Sequence, residues 1–272
     1  MHEAVTALKH SGQRLALVPT MGALHAGHAA LMRQVPGATV IASIYVNPTQ
    51  FGPKEDFTKY PRTLAADSAL CEQAGVALVF APTDAEMYPN GLAAVSTWVE
   101  ESQVARRLEG ERRPGHFRGV CTVVAKLFNI VQPDVAVFGQ KDFQQLKVIQ
   151  RLVRDLRYPL EIIPVPTVRE SDGLALSSRN RYLTPAERAQ ASIIWKSLNA
   201  TRELFRAGEH DPARLQAGLR HALETIPGLR LDYAEIADAE TLEPVAVAQS
   251  GNVVLIAAYL GQTRLIDNLL LS

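Results

Sequence analysis

Unbalanced charge, cysteine and long apolar runs are all scarce in this 272-residue chain. Lysine and arginine total 28, aspartate and glutamate total 28, and the formal net charge is zero. A nucleic-acid binder draws most of its affinity from a basic excess that neutralises phosphates, so the balance argues against that partner. The two cysteines, Cys71 and Cys121, stand far apart without metal-ligand spacing and read as free thiols in a reduced compartment. No run approaches the roughly 18 apolar residues that a membrane span needs. His2, Glu3, Lys9, His10, Gln13 and Arg14 interrupt any signal-peptide core, and a cytoplasmic protein is expected. Three familiar motifs are also missing: the GxxxxGK[ST] phosphate loop, a GxGxxG after a strand, and the GxSxG nucleophile elbow. Any nucleotide must therefore be held by another route.

What is present is an ordinary globular composition, 47% apolar and 21% charged, with length for one or two domains. Apolar runs at Leu15–Val18, Val40–Val46, Val76–Phe80, Val135–Phe138 and Glu161–Val165 are rich in valine, isoleucine and alanine and do not alternate strictly. Strands buried on both faces of a parallel sheet have this pattern. Helical patterns at Leu64–Ala74, Cys121–Val131 and Phe143–Leu156 lie between them. The alternation predicts an α/β fold, a Rossmann-like doubly wound parallel sheet, over residues 1–167. The character then changes. Thr184-Pro185-Ala186-Glu187 is a capping box with proline at the first helical position. It predicts a helix to about Ala207, followed by one from Pro212 to about Thr225 and strands at Leu231–Ala237, Val253–Leu260 and Thr263–Leu271. Residues 168–272 are thus expected to form a smaller C-terminal α+β domain.

Ligands of doubly wound sheets bind beyond the carboxyl ends of the strands, and polar segments fall there. Met21-Gly22-Ala23-Leu24-His25-Ala26-Gly27-His28 follows the first strand and precedes a helical pattern at Ala29–Gln34. A helix start offers unpaired N–H groups to an anion, two imidazoles can hydrogen-bond phosphate oxygens, and Gly27 allows close approach. This suggests transfer of a nucleotidyl group. Asn47-Pro48-Thr49-Gln50-Phe51 follows the second strand; by itself it reads best as a proline-bearing turn with amides capping backbone groups, although Asn47 and Gln50 also suit a small polar substrate. Gly139-Gln140-Lys141-Asp142 ends a later strand, where a lysine can neutralise charge building on a phosphate. Leu176-Ser177-Ser178-Arg179 reads equally as a triphosphate contact or a polar turn. Glu109, Arg112, Arg113, His116 and Arg118 look like a solvated cluster, and Asp67 like a surface acid on a helix.

In this order PTMGALHAGH, YVNPTQFG, YPRTL, GHFRGVCTVVAKLFNIVQPD, FGQKDFQQL, PTVRESDGLALSSRNRYL and GQTRLIDNL resemble the pantoate–β-alanine ligase (pantothenate synthetase) family of the HxGH nucleotidyltransferase superfamily, over nearly the whole chain. The resemblance implies that pantoate attacks the α-phosphate of ATP to give pantoyl adenylate and pyrophosphate, and that β-alanine then displaces AMP. It implies Mg²⁺ and a homodimer. It places His28 as proton donor, His25 on phosphate charge and Lys141 on the α-phosphate. Met21–His28, Gly139–Asp142, Val168 and Leu176–Arg179 become ATP contacts, while Gln50, Gln145 and Asn47 contact the organic substrates. Glu109 and His116 become pocket residues and Asp67 a metal contact. Four departures stand out. The segment before the first glycine-bearing turn is short, so a peripheral strand is expected to be missing. The helix after His28 is about three residues short, nearly one turn. Leu176 replaces a usual methionine, and Gln140 a common glutamate.

Alternatives remain at this point. One is a nucleotidyltransferase that leaves nucleotide on a phosphorylated acceptor. An aminoacyl-tRNA synthetase shares two-histidine chemistry, and an inert nucleotide-binding module would bind ATP without turnover.

Overall fold

The computed structural model describes residues 1–53 and 55–272. The chain divides into two compact units, residues 1–140 with 144–166, and residues 141–143 with 167–272.

In the first unit, helix α1 (His2–His10) leads into strand β1 (Leu15–Thr20), then α2 (Ala26–Met32), β2 (Thr39–Ile44), α3 (Leu64–Gln73) and β3 (Leu78–Phe80). Short helices α4 (Asp84–Met87) and α5 (Glu109–Arg112) precede the long α6 (His116–Val131), β4 (Val135–Gly139), α7 (Phe143–Asp155) and β5 (Glu161–Val165). The strands are all parallel, in the order β3-β2-β1-β4-β5. The chain therefore winds outward from β1 in one direction and resumes on the other side with β4. The switch point lies between β1 and β4, where a doubly wound sheet opens a crevice beyond its strand ends. The turn Met21–His25 leaves β1 there, and the single helical turn Gln140–Asp142 follows β4. Leu15, Ala16, Leu17, Val18, Val135 and Ala136 have no exposed surface, which is why these strands read as unbroken apolar runs.

Helix α2 begins three residues earlier than its apolar pattern and has seven residues. Its shortness leaves the packing intact, because Ala29 and Met32 enter the core with Val18, Val40 and Val137.

In the second unit, the stretch predicted as one helix is two, α8 (Pro185–Ala191) and α9 (Ile193–Arg206), divided by a tight turn at buried Ser192. Thr184 caps α8 through the predicted reciprocal bonds with Glu187. Helix α10 (Pro212–Glu224) and antiparallel strands β6 (Leu229–Ala237), β7 (Val253–Leu260) and β8 (Thr263–Leu270) complete the unit. Leu198, Leu215, Leu223, Ile256 and Leu260 form its separate core.

Candidate active site

The turn after β1 is held by its own side chains. His25 is extended (φ −146°, ψ 178°) and occupies the position just before α2. Its Nδ1 accepts the Gly27 N–H at 3.2 Å, and the Nδ1 of His28 accepts the His25 N–H at 3.2 Å. Helix starts are usually recognised by serine, threonine or aspartate; here two imidazoles do that work, which explains the early start of α2. Because each ring accepts at Nδ1, its neutral form carries the proton on Nε2. The two rings lie 4.1 Å apart, centroid to centroid, tilted by 44°. The turn thus carries two imidazoles side by side whose neutral forms hold the proton on Nε2, a donor type that phosphate oxygens accept.

Asp67 is not the surface acid expected. It is 2% exposed, on the inner side of α3. Gly22 and Ala23 have φ of +83° and +51°, so consecutive backbone N–H groups converge. The Asp67 carboxylate fills that concavity, accepting from Ala23 N at 3.0 Å, Leu24 N at 2.8 Å and the Thr63 hydroxyl at 3.2 Å. A left-handed alanine costs about 1–2 kcal/mol, and the carboxylate offsets this by satisfying two buried donors. Asp67 therefore fixes the path of the chain into His25.

Gln50 lies in the turn after β2, where its Nε2 donates to the Met21 sulfur at 2.9 Å and its Oε1 accepts from Asn47 Nδ2 at 3.2 Å. Asn47 is 1% exposed. Its Oδ1 also accepts from the Tyr88 hydroxyl at 2.8 Å and the Thr49 hydroxyl at 3.0 Å, and its Nδ2 donates to the Gly119 carbonyl at 3.2 Å. The hydrogen-bonding capacity of Asn47 is thus spent inside the protein, and it supports Gln50. Gly119 permits the close packing of α6 on this turn: a Cβ there would lie 2.2 Å from the Thr49 carbonyl oxygen.

The charged cluster before α6 is also more buried than expected. Glu109 is 6% exposed and His116 8%. Arg113 makes two 2.7 Å bonds to Glu55 and donates to His116 Nε2 at 3.0 Å. Burial alone would raise the Glu55 carboxyl, but the bonds from Arg113 bring it below its ordinary value. An arginine can only donate, so His116 accepts at Nε2 and donates from Nδ1 to the Gln50 carbonyl at 2.8 Å. Burial, reinforced by the Arg113 charge, brings the His116 imidazole down from 6.5 to about 4. Between pH 6.5 and about 4 the unfolded chain takes up a proton that folded His116 refuses. Stability is therefore whole above this window and falls as pH drops through it, by up to about 3 kcal/mol. Urea unfolding from pH 7 to 4 checks this: His116→Asn, which cannot titrate, loses less than wild type. Parallel losses in the two proteins would contradict it.

The other predicted residues divide between the units. Gln144 is a clamp: it accepts the Glu109 N–H at 2.9 Å and donates to the Val104 and Arg107 carbonyls at 2.8 Å. Gln145, the next residue of α7, is half-buried. Lys141 and Asp142 belong to the second unit. In that unit Val168 and Leu176 are brought together by a bond from Leu176 N to the Val168 carbonyl at 2.9 Å. The Ser177 hydroxyl accepts the Arg179 N–H at 3.2 Å, opening the helical turn Ser178–Tyr182.

Both cysteines are buried and free. Burial pushes the Cys121 thiol up to about 12, so it is no nucleophile. No helix among the described residues is long and apolar enough to cross a membrane.

The comparisons with known proteins agree along the chain. Residues 1–270 match the family model described as pantoate–β-alanine ligase. The pantothenate synthetase of Pseudomonas entomophila is 54% identical, covering 100% of this chain and 94% of that protein. The crystal structure of the Thermus thermophilus pantothenate synthetase superposes with a TM-score of 0.90 at 47% identity, over 97% of this chain and 96% of that one. A Francisella tularensis pantoate–β-alanine ligase, whose structure was determined with β,γ-ATP and β-alanine, superposes with a TM-score of 0.77 at 34% identity, over 98% and 95% of the two chains. With a family match over almost every residue, and the parallel sheet and C-terminal antiparallel sheet of these structures, the chain belongs to the pantoate–β-alanine ligase family.

Proposed function

We propose that this chain condenses (R)-pantoate with β-alanine in two steps, using ATP and releasing pyrophosphate and then AMP. The observation that carries the reading is the pair of imidazoles at the sheet's switch point, on a chain that matches the family throughout. In the first step a pantoate carboxylate oxygen bonds to the α-phosphorus and the bond to pyrophosphate breaks. His28 donates from Nε2 to a phosphate oxygen, and His25 supports the charge beside it. Lys141 neutralises charge as it builds on the α-phosphate. In the second step the β-alanine amine attacks the acyl carbon, AMP leaves and the amine loses a proton. Adenylation is required because a free carboxylate has no adequate leaving group.

The Met21–His28, Gly139–Asp142, Val168 and Leu176–Arg179 segments are assigned to ATP, and Gln50 and Gln145 to the organic acids. Asn47 and His116 act through Gln50. The first unit then handles ATP and pantoate. Family resemblance supports the ATP segments, Gln50 and Gln145, together with a homodimer in the cytoplasm; the roles given to Asn47 and His116 rest on their bonds to Gln50.

The described residues offer no built site for Mg²⁺, which the family implies. The Asp67 oxygens are occupied by main-chain and hydroxyl donors, and no cluster of three metal-ligating side chains occurs among the described residues. It enters the proposal only as the counter-ion of ATP, since Mg²⁺ is commonly held by substrate phosphates.

Pantoate-dependent exchange of labelled pyrophosphate into ATP tests the first step, and AMP release that requires β-alanine tests the second. Folded protein that shows no exchange with pantoate would refute the reading. Nucleotide retained in the final product would replace it with a nucleotidyltransferase.

A further inference from the structure

The C-terminal segment GQTRLIDNL takes no part in the proposed chemistry, yet it contains three of the few buried polar residues of the second unit, Thr263, Asp267 and Asn268. Asp267 is 4% exposed and Asn268 8%. They are neighbours on β8, so their side chains leave opposite faces of the strand. Asp267 shares the face of Leu265 and Leu269, which enter the core.

A buried carboxylate needs a partner, and Asp267 has Arg169, whose two terminal nitrogens lie 2.6 and 2.9 Å from its oxygens. The Arg169 guanidinium also stacks 3.5 Å from the centre of the Trp195 ring and donates to the Gly173 carbonyl at 3.1 Å. Gly173 lies so close to Trp195 that a Cβ there would be 1.9 Å from the ring. Asp267 and Arg169 in turn grip the backbone of the next residue. Asp267 Oδ1 accepts the Asn268 N–H at 2.8 Å, and Arg169 donates to the Asn268 carbonyl at 3.4 Å. The main chain of Asn268 is thus fixed on both sides, beyond what pairing with Leu255 on β7 requires. From that anchored backbone the side chain spends a donor on one distant atom: Asn268 Nδ2 lies 2.9 Å from the main-chain carbonyl oxygen of Lys141.

We propose that Asn268, braced by the Asp267–Arg169 pair, is a positioning residue for Lys141 in adenylate formation. The inference rests on the reading that Lys141 acts on the α-phosphate. Lys141 lies in a single helical turn, Gln140–Asp142, too short to fix its own backbone. The Asn268 amide sets where that turn stands, and so where the ammonium begins. A displacement of about 1 Å in a group that acts on a transition state can cost on the order of 10²-fold in rate.

Asn268→Asp is the informative change, because it keeps the shape and removes the donor. We expect pantoyl-adenylate formation to slow by about 10- to 100-fold. Reaction of supplied pantoyl adenylate with β-alanine should stay within about twofold of wild type. A merely structural role would slow both steps together, and that result overturns the proposal. In the Lys141→Ala background, Asn268→Asp should add almost nothing, since residues acting as one unit are not additive; a full additional loss overturns it. If Asn268→Asp does not fold, Asn268→Ser, which keeps a small polar group on the strand, carries the same comparison. A Lys141→Ala variant as fast as wild type would remove the reading of Lys141 and the proposal with it. A slow Lys141→Ala beside a wild-type-fast Asn268→Asp would remove the proposal alone.

Discussion

His28→Ala should slow pantoyl-adenylate formation by about 10²–10⁴-fold, the usual consequence of losing a positioned proton donor. The variant loses two things at once. The Nε2–H disappears from the phosphate-facing side, and the His25 N–H loses its Nδ1 acceptor. His28→Asn separates them, because its amide oxygen stands near the place of Nδ1 while nothing replaces Nε2–H. We expect His28→Asn to recover the thermal stability that alanine loses, but little of the rate. Rapid-quench measurement of adenylate in a single turnover is the direct check. Wild-type rates in His28→Ala would remove His28 from the chemistry, and recovery of rate by asparagine would reduce it to a cap.

Lys141→Ala should raise the barrier of the same step by about 3–4 kcal/mol, the scale of losing a preorganised transition-state donor. That corresponds to roughly 10²–10³-fold in rate. Lys141→Arg should recover little, because a compact ammonium and a planar fork do not place charge at the same point. The discriminating measurement is again the split between half-reactions. The loss belongs to adenylation, and supplied pantoyl adenylate should still react with β-alanine at close to the wild-type rate. Equal losses in both steps would mean that Lys141 supports the fold more than the α-phosphate.

The sheet was legible because its strands are covered on both sides. Residues such as Leu15–Val18 and Val135–Ala136 have no exposed surface, and only unbroken apolar runs satisfy that condition. In the second unit β7 was readable for the same reason, with Val253–Leu260 buried almost throughout. The start of α2 was not readable, because imidazoles stand outside the usual set of capping side chains. Asp67 was misjudged because its partners are main-chain N–H groups 43 and 44 residues earlier, and backbone donors leave no trace in composition. The Glu109–Arg118 cluster looked solvated for a related reason: its interior members are paired with Glu55 and the Gln50 carbonyl, both far away in sequence. One signal was available there. A lone glycine inside the otherwise apolar helix containing Val120–Val124 marks a close approach, and Gly119 indeed accommodates the Thr49–Gln50 backbone. Family motifs thus proposed the site residues, whereas the residues that hold those segments in place became visible only in three dimensions.

Two adjacent histidines ordinarily invite zinc, copper or nickel, which coordinate an imidazole through its unprotonated nitrogen. In this turn that nitrogen is Nδ1 on both rings, and a peptide N–H already points at it. A metal arriving at Nε2 would force the ring proton onto Nδ1, where it would face another donor, and both main-chain bonds would break. Losing them would leave donors without partners, at about 1–3 kcal/mol each where they are buried. The turn therefore discourages chelation by its tautomers alone.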